Sequence, residues 1–191
     1  MVCPNLRFPV AYMQPALSSS ASVVSTAVEH HLAQLNVARL RAPLDSPMLV
    51  EFVEALEPVN ALADDAQGFV WRLQTEDGDA TAIRAFEDDM LLVNMSVWES
   101  VDDLVAFVYR SDHRRVMIRR REWFERMVDS STVLWWVEAG HRPSVMEAKQ
   151  RLAILRRDGP TPAAFTFRSP FPPPGAGGEV EIDERWACPT G

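Results

Sequence analysis

Apolar and polar residues alternate along four stretches of this chain, and the segments between them place apolar residues at helical spacing. The first alternating stretch is His31 to Val37. There Ala33, Leu35 and Val37 point one way, and Leu32, Gln34 and Asn36 the other. Pro43 and Pro47 close that region. From Met48 to Ala63 the apolar residues Leu49, Phe52, Val53, Leu56, Val59 and Leu62 recur as one helix face. Ser46 is placed to cap this helix and Pro47 suits its first turn, whereas Pro58 falls inside it and predicts a kink or break.

After Gly68 the alternation returns. A second strand is predicted from Phe69 to Thr75, with Phe69, Trp71 and Leu73 on one face and Val70, Arg72 and Gln74 on the other. Glu76 to Asp79 reads as a turn, and Thr81 to Phe86 as a short extended piece. The third strand, Leu91 to Trp98, sets Val93, Met95 and Val97 against Leu92, Asn94, Ser96 and Trp98. Ser100 with Asp103 resembles a helix cap, so a helix is expected from Val101 to Tyr109. Ser111 starts another, through Met127. The fourth strand is Thr132 to Glu138, closed by Gly140. A last helix runs from Ser144 to about Arg157, stopped by Gly159 and Pro160.

The order is β-α-β-β-α-β with an added helix, which predicts an α+β fold of ferredoxin-like type: an antiparallel sheet with helices on one face. The other face, apolar and carrying Trp98 and a tryptophan of the fourth strand, then requires cover. A second copy supplies it, so the expectation is a homodimer forming a dimeric α/β barrel. Three regions follow: a flexible extension over 1–30, the ferredoxin-like domain over 31–160, and a Pro/Gly-rich extended tail over 161–191.

Composition narrows the function. Hydrophobic residues make up 47% and charged residues 24%, the balance of an ordinary globular protein. No apolar run approaches the roughly 18 residues that span a bilayer, and the apolar patch from Phe8 to Leu17 is broken by Pro9, Gln14 and Pro15. No membrane partner and no signal peptide are expected. The two cysteines, Cys3 and Cys188, lie in the tails without metal-ligand spacing, which fits reduced thiols and a cytoplasmic location. The net charge of −8 disfavours nucleic acid. The charge is uneven, however: Arg110 to Arg126 holds seven arginines, interleaved with Asp112, Glu122 and Glu125. That pattern suits a docking surface, an anionic ligand or a solvated helix face.

Several segments together resemble one family. His31-Leu-Ala-Gln-Leu-Asn36, Gly68-Phe-Val-Trp-Arg-Leu73, Asn94-Met-Ser-Val-Trp98, Tyr109-Arg-Ser-Asp-His113, Arg120-Arg-Glu-Trp-Phe124, Trp135-Trp136 and Glu147-Ala-Lys-Gln-Arg-Leu152 are similar to the uncharacterised domain family numbered 3291. The resemblance runs in order from about His31 to Gly175. It implies the dimeric α+β barrel superfamily, which is antibiotic-biosynthesis-monooxygenase-like and holds cofactor-free monooxygenases, lactone isomerases, stress-related domains and haem enzymes. It supplies no catalytic residues to carry over.

The strands themselves nominate a site. Their less apolar faces collect Gln34, Asn36, Arg72, Gln74, Asn94, Ser96, Trp98 and Trp136, which antiparallel pairing sets side by side. Amides, a guanidinium and indoles suit a pocket for a small hydrophobic or aromatic ligand, and equally a wet dimer interface. Arg72 needs an anion, either a protein carboxylate or a ligand oxyanion. His113 is the candidate acid/base, sharing a helix face with Tyr109 if the two helical segments are continuous. It is otherwise a structural hydrogen bonder or part of a capping turn, or an axial haem ligand. No spaced metal motif, P-loop, dinucleotide glycine pattern, nucleophile elbow or Cys-x-x-Cys occurs. The expected activity is that of a small-molecule enzyme without a bound organic cofactor, oxygenase or isomerase in type, with Arg72 and His113 as its catalytic residues. The alternatives are a non-catalytic dimeric binding module and a haem protein.

Overall fold

A computed structural model describes residues 28–110 and 113–176, with the backbone alone at 114 and 115. The N-terminal extension through residue 27, both cysteines and Ser111 lie outside the described residues. Four strands form one antiparallel sheet: β1 (His30–Arg39), β2 (Phe69–Arg72), β3 (Leu91–Trp98) and β4 (Thr132–Glu138), in the order β2-β3-β1-β4. The helices are α1 (Val50–Asp64), α2 (Val101–Arg110), α3 (His113–Trp123) and α4 (Val145–Asp158). The fold is α+β.

The predicted caps hold the helices in place. Ser46 accepts from the Met48 amide at 3.4 Å and starts a single 3-10 turn that leads into α1. Ser100 accepts from the Asp103 amide at 3.1 Å, and Ser144 from the Glu147 amide at 3.1 Å. Gly159 ends α4 with φ of 73°, a left-handed conformation that suits glycine. Pro58 sits within α1 without breaking it; its missing N–H and ring cost one turn's bond, which the flanking turns outlast. Val53 and Leu62, expected inward, are exposed, so α1 rests on the narrower stripe of Phe52 and Ala63.

Register assigns the two sheet faces. One collects Ala33, Leu35, Val37, Val93, Met95, Val97, Val133, Trp135 and Val137, all buried. It is covered by Ala148, Leu152 and Leu155 of α4 and by Ala85 from the loop before β3. The segment Thr81 to Phe86, expected to be extended, is thus an irregular loop that serves as part of this lid. The other face carries Leu32, Trp98 and Leu134 beneath Leu104 of α2, and Leu92 beside Leu49, Phe52 and Trp123.

Helices therefore lie on both faces of the sheet, not on one. Trp98, on the face expected to be bare, is 1% exposed under α2, and the added helix α4 takes the opposite, apolar face. The reason is simple: the i, i+4, i+7 stripe of Ala148, Leu152 and Leu155 needs an apolar surface, and this sheet face offers one without a second chain. The tail also differs from expectation. Phe165 exchanges backbone hydrogen bonds with Leu134 at 2.8 and 2.9 Å, extends the sheet edge, and buries its ring completely.

Candidate functional site

The polar residues nominated by strand alternation do come together. Across the α2 side of the sheet, Gln34 pairs with Ser96 and with Leu134, Asn36 with Asn94 and with Thr132, and Arg72 with Ser96. A bulge at Val70 brings this about on β2: Phe69 opposes Trp98 and Trp71 opposes Val97, so one extra residue is absorbed and Phe69 and Arg72 share a face. Simple alternation had put Phe69 and Arg72 on opposite faces. Gln74 lies past the end of β2 and is exposed.

The amides orient one another. Gln34 Nε2 donates to Asn94 Oδ1 at 3.0 Å, and Thr132 Oγ1 donates to Asn36 Oδ1 at 2.9 Å. Gln34 is 8% and Ser96 7% exposed, whereas Asn94 is open to solvent. The buried amide thus fixes the rotamer of the exposed one, leaving the Asn94 side-chain nitrogen as an outward donor. Thr132 is a member that sequence reading missed; its place opening the fourth strand, opposite Asn36, was the available signal.

The other nominated residues sit around this row in different surroundings. Trp98 Nε1 donates to Ser96 Oγ at 2.9 Å, and Trp136 Nε1 to the Phe171 carbonyl at 2.7 Å; both rings belong to the apolar cluster under α2. Arg72 is held by Asp64 at the end of α1, Nε at 2.8 Å and Nη2 at 3.0 Å, and its Nη1 donates to the Gly78 carbonyl at 2.7 Å. This fork geometry gives Arg72 a protein carboxylate as its anion. Tyr109 meets Phe167 edge-on with centroids 6.2 Å apart.

His113 ends an aromatic column. Its ring stacks on Phe107 at 4.8 Å, Phe107 stacks on Trp98 at 5.1 Å, and Phe69 meets Trp98 edge-on at 5.4 Å. Tyr109 lies in the last turn of α2 and His113 opens α3, with residues 111 and 112 outside the described part. Burial pushes the imidazole pKa below its ordinary value, opposed in part by the Val108 carbonyl 3.4 Å from Nδ1. The fold therefore favours the neutral ring. The stability this gives is complete above the unfolded-state pKa of about 6.5 and is lost as pH falls from there through the depressed folded value. In urea titrations between pH 7.5 and 5, the wild-type chain should lose more stability than His113→Gln. Parallel losses in the two proteins would show that His113 titrates alike folded and unfolded.

Among the described residues no group of three or more His, Cys, Asp or Glu is placed to hold a metal ion, and no helix is long and apolar enough to cross a membrane. Fold and site together define an α+β domain in which one sheet face is sealed by a helix and the other keeps a row of hydrogen-bonded amides partly open. The chain belongs to the family described as domain of unknown function DUF3291, whose profile matches residues 31–180. A crystal structure of a protein of unknown function from Nitrosomonas europaea is similar over 62% of this chain and 99% of its own, at 14% identity and a TM-score of 0.37. No curated protein matches the chain.

Proposed function

We propose that this domain is a small-molecule binding module whose recognition surface is the amide row on the α2 side of the sheet. The observation that carries this reading is the Gln34–Asn94 pair: a buried amide locks an exposed one, with Ser96, Asn36 and Thr132 alongside. Preorganised neutral donors and acceptors beside aromatic walls suit a polar-aromatic ligand. Native mass spectrometry of the full chain purified from its own host tests it. The expected result is a small organic adduct that Asn94→Leu reduces by about tenfold, as the loss of one or two hydrogen bonds would. Retention of the adduct at wild-type occupancy in Asn94→Leu would place the ligand elsewhere.

The strand order β2-β3-β1-β4 supports a ferredoxin-like reading, in which β1 and β3 are central. Homodimer formation belongs with it in a modified form. Because α4 already takes the apolar face, a second copy would close over the amide row, making a wet interface and a ligand site one and the same.

One observation favours the enzymatic alternative, a cofactor-free oxygenase or isomerase: burial keeps His113 neutral at pH 7, as a general base must be. Arg72, already neutralised by Asp64, contributes less to that reading than its residue type suggests. Haem binding has only the imidazole of His113 behind it; the ring packs on Phe107 with Nδ1 facing the Val108 carbonyl, and neither contact points to a porphyrin.

A further inference from the structure

The opposite side of the sheet carries a separate surface. Lys149, Ala153 and Arg156 fall on one flank of α4 by their spacing of four and three residues. With Leu152, Arg157 and Phe86 they line an open depression of about 510 Å³. Small-ligand sites occupy about 300–1,000 Å³. Its apolar lining is Phe86, the buried Leu152 and the exposed Ala153.

All the charged side chains lining it are cationic, and two of the three meet no carboxylate among the described residues. Arg157 is matched by Asp158, Nη2 to Oδ2 at 2.6 Å. Lys149 instead donates to the Ala85 carbonyl at 2.6 Å, with its ammonium 5.0 Å from the centroid of the Phe86 ring. Arg156 donates through Nε to the Ser130 carbonyl at 3.0 Å. A carbonyl fixes a cation in position without cancelling it. Arg39, Arg72, Arg84 and Arg119, by contrast, are each matched by a carboxylate. Two positive charges thus stand beside an apolar lining in a chain of net charge −8, and Lys149 is the sole lysine among the 191 residues. Seven residues of helix separate them, about 10 Å of axial length, which is the scale of one small organic molecule.

We propose that this depression binds a small organic carboxylate with an apolar body. The acid group pairs with Lys149, the cation beside Phe86; the body lies on Phe86 and Leu152, and Arg156 stands about two turns further along. The site is independent of the amide row, which lies on the other sheet face.

Two probes of equal shape test it on the full-length chain by isothermal titration calorimetry: 2-naphthoate and the neutral 2-naphthalenemethanol. Saturable one-to-one binding of the naphthoate is expected, with the alcohol weaker by about tenfold or more. Lys149→Gln should weaken the naphthoate by a similar factor at unchanged urea midpoint, and Arg156→Gln by less. Because Lys149 is the sole lysine, its acetylation by an amine-selective reagent, followed by peptide mass mapping, should slow in the presence of naphthoate. Equal affinity for the acid and the alcohol would overturn the proposal. So would native affinity in Lys149→Gln, or no saturable binding of the acid.

Discussion

Replacing Phe165 by alanine is expected to destabilise the domain by about 3–5 kcal/mol, the cost of deleting a fully buried aromatic ring. The ring is 0% exposed and lies 6.3 Å from Trp136 and 5.9 Å from Phe171. Its loss leaves a cavity against Leu32, Leu134 and Trp98, none of which can leave its strand position to fill it. The backbone bonds from Phe165 to Leu134 do not need the side chain, so the substitution isolates packing from edge pairing. Urea unfolding at constant m-value reads the effect directly. A loss below about 1 kcal/mol, the level of ordinary surface substitutions, would mean that the segment after α4 is not part of the core.

The second large effect is expected at Gly68, where the chain turns into β2. Its φ is +72°, and a Cβ there would strike the Asp103 carboxylate at the start of α2. That carboxylate is not free to swing away, because Ser100 Oγ donates to it at 2.5 Å while accepting from the Asp103 amide. Gly68→Ala therefore adds left-handed strain of about 1–2 kcal/mol to the loss of a helix cap worth about 0.5–2 kcal/mol. The Gly68 carbonyl also accepts from the Glu99 amide at 2.7 Å, so the turn cannot relax without cost to the sheet. Asp103→Ala in the Gly68→Ala background should restore part of the loss, the two changes costing less together than their sum. Strict additivity would show that the methyl and the carboxylate never meet.

Much of this architecture was legible from residue order. The third and fourth strands fall where period-two alternation put them, and Ser46, Ser100 and Ser144 cap as their positions suggested, because alternation and capping are local effects. The polar row was legible for the same reason: Gln34, Asn36, Asn94 and Ser96 share a face by parity alone. What could not be read was long-range. Nothing in the stripe Ala148, Leu152, Leu155 says which apolar surface it will meet, and the Trp98 face reads equally well as a dimer surface until α2 is seen on it and α4 on the face opposite. The bulge at Val70 breaks parity without any glycine to announce it. Asp64 became the partner of Arg72 only because α1 ends beside β2, across eight residues of sequence and a turn. The burial of Phe165 was hidden by its setting among prolines, where composition suggests an extended tail and says nothing of what that tail lies against.

The placement of α4 bears on how the chain acquires its structure as it is made. All four strands leave the ribosome before the helix that seals them, so during synthesis the sheet can pair while Val93, Met95, Val97 and Trp135 have no cover. Contacts between α4 and β1 span more than a hundred residues of chain, a separation that slows closure. In that interval the newborn protein presents a flat apolar surface edged by unpaired strand, the kind of surface chaperones hold and aggregates recruit. Docking of α4, rather than strand pairing, is then the step at which the fold becomes safe.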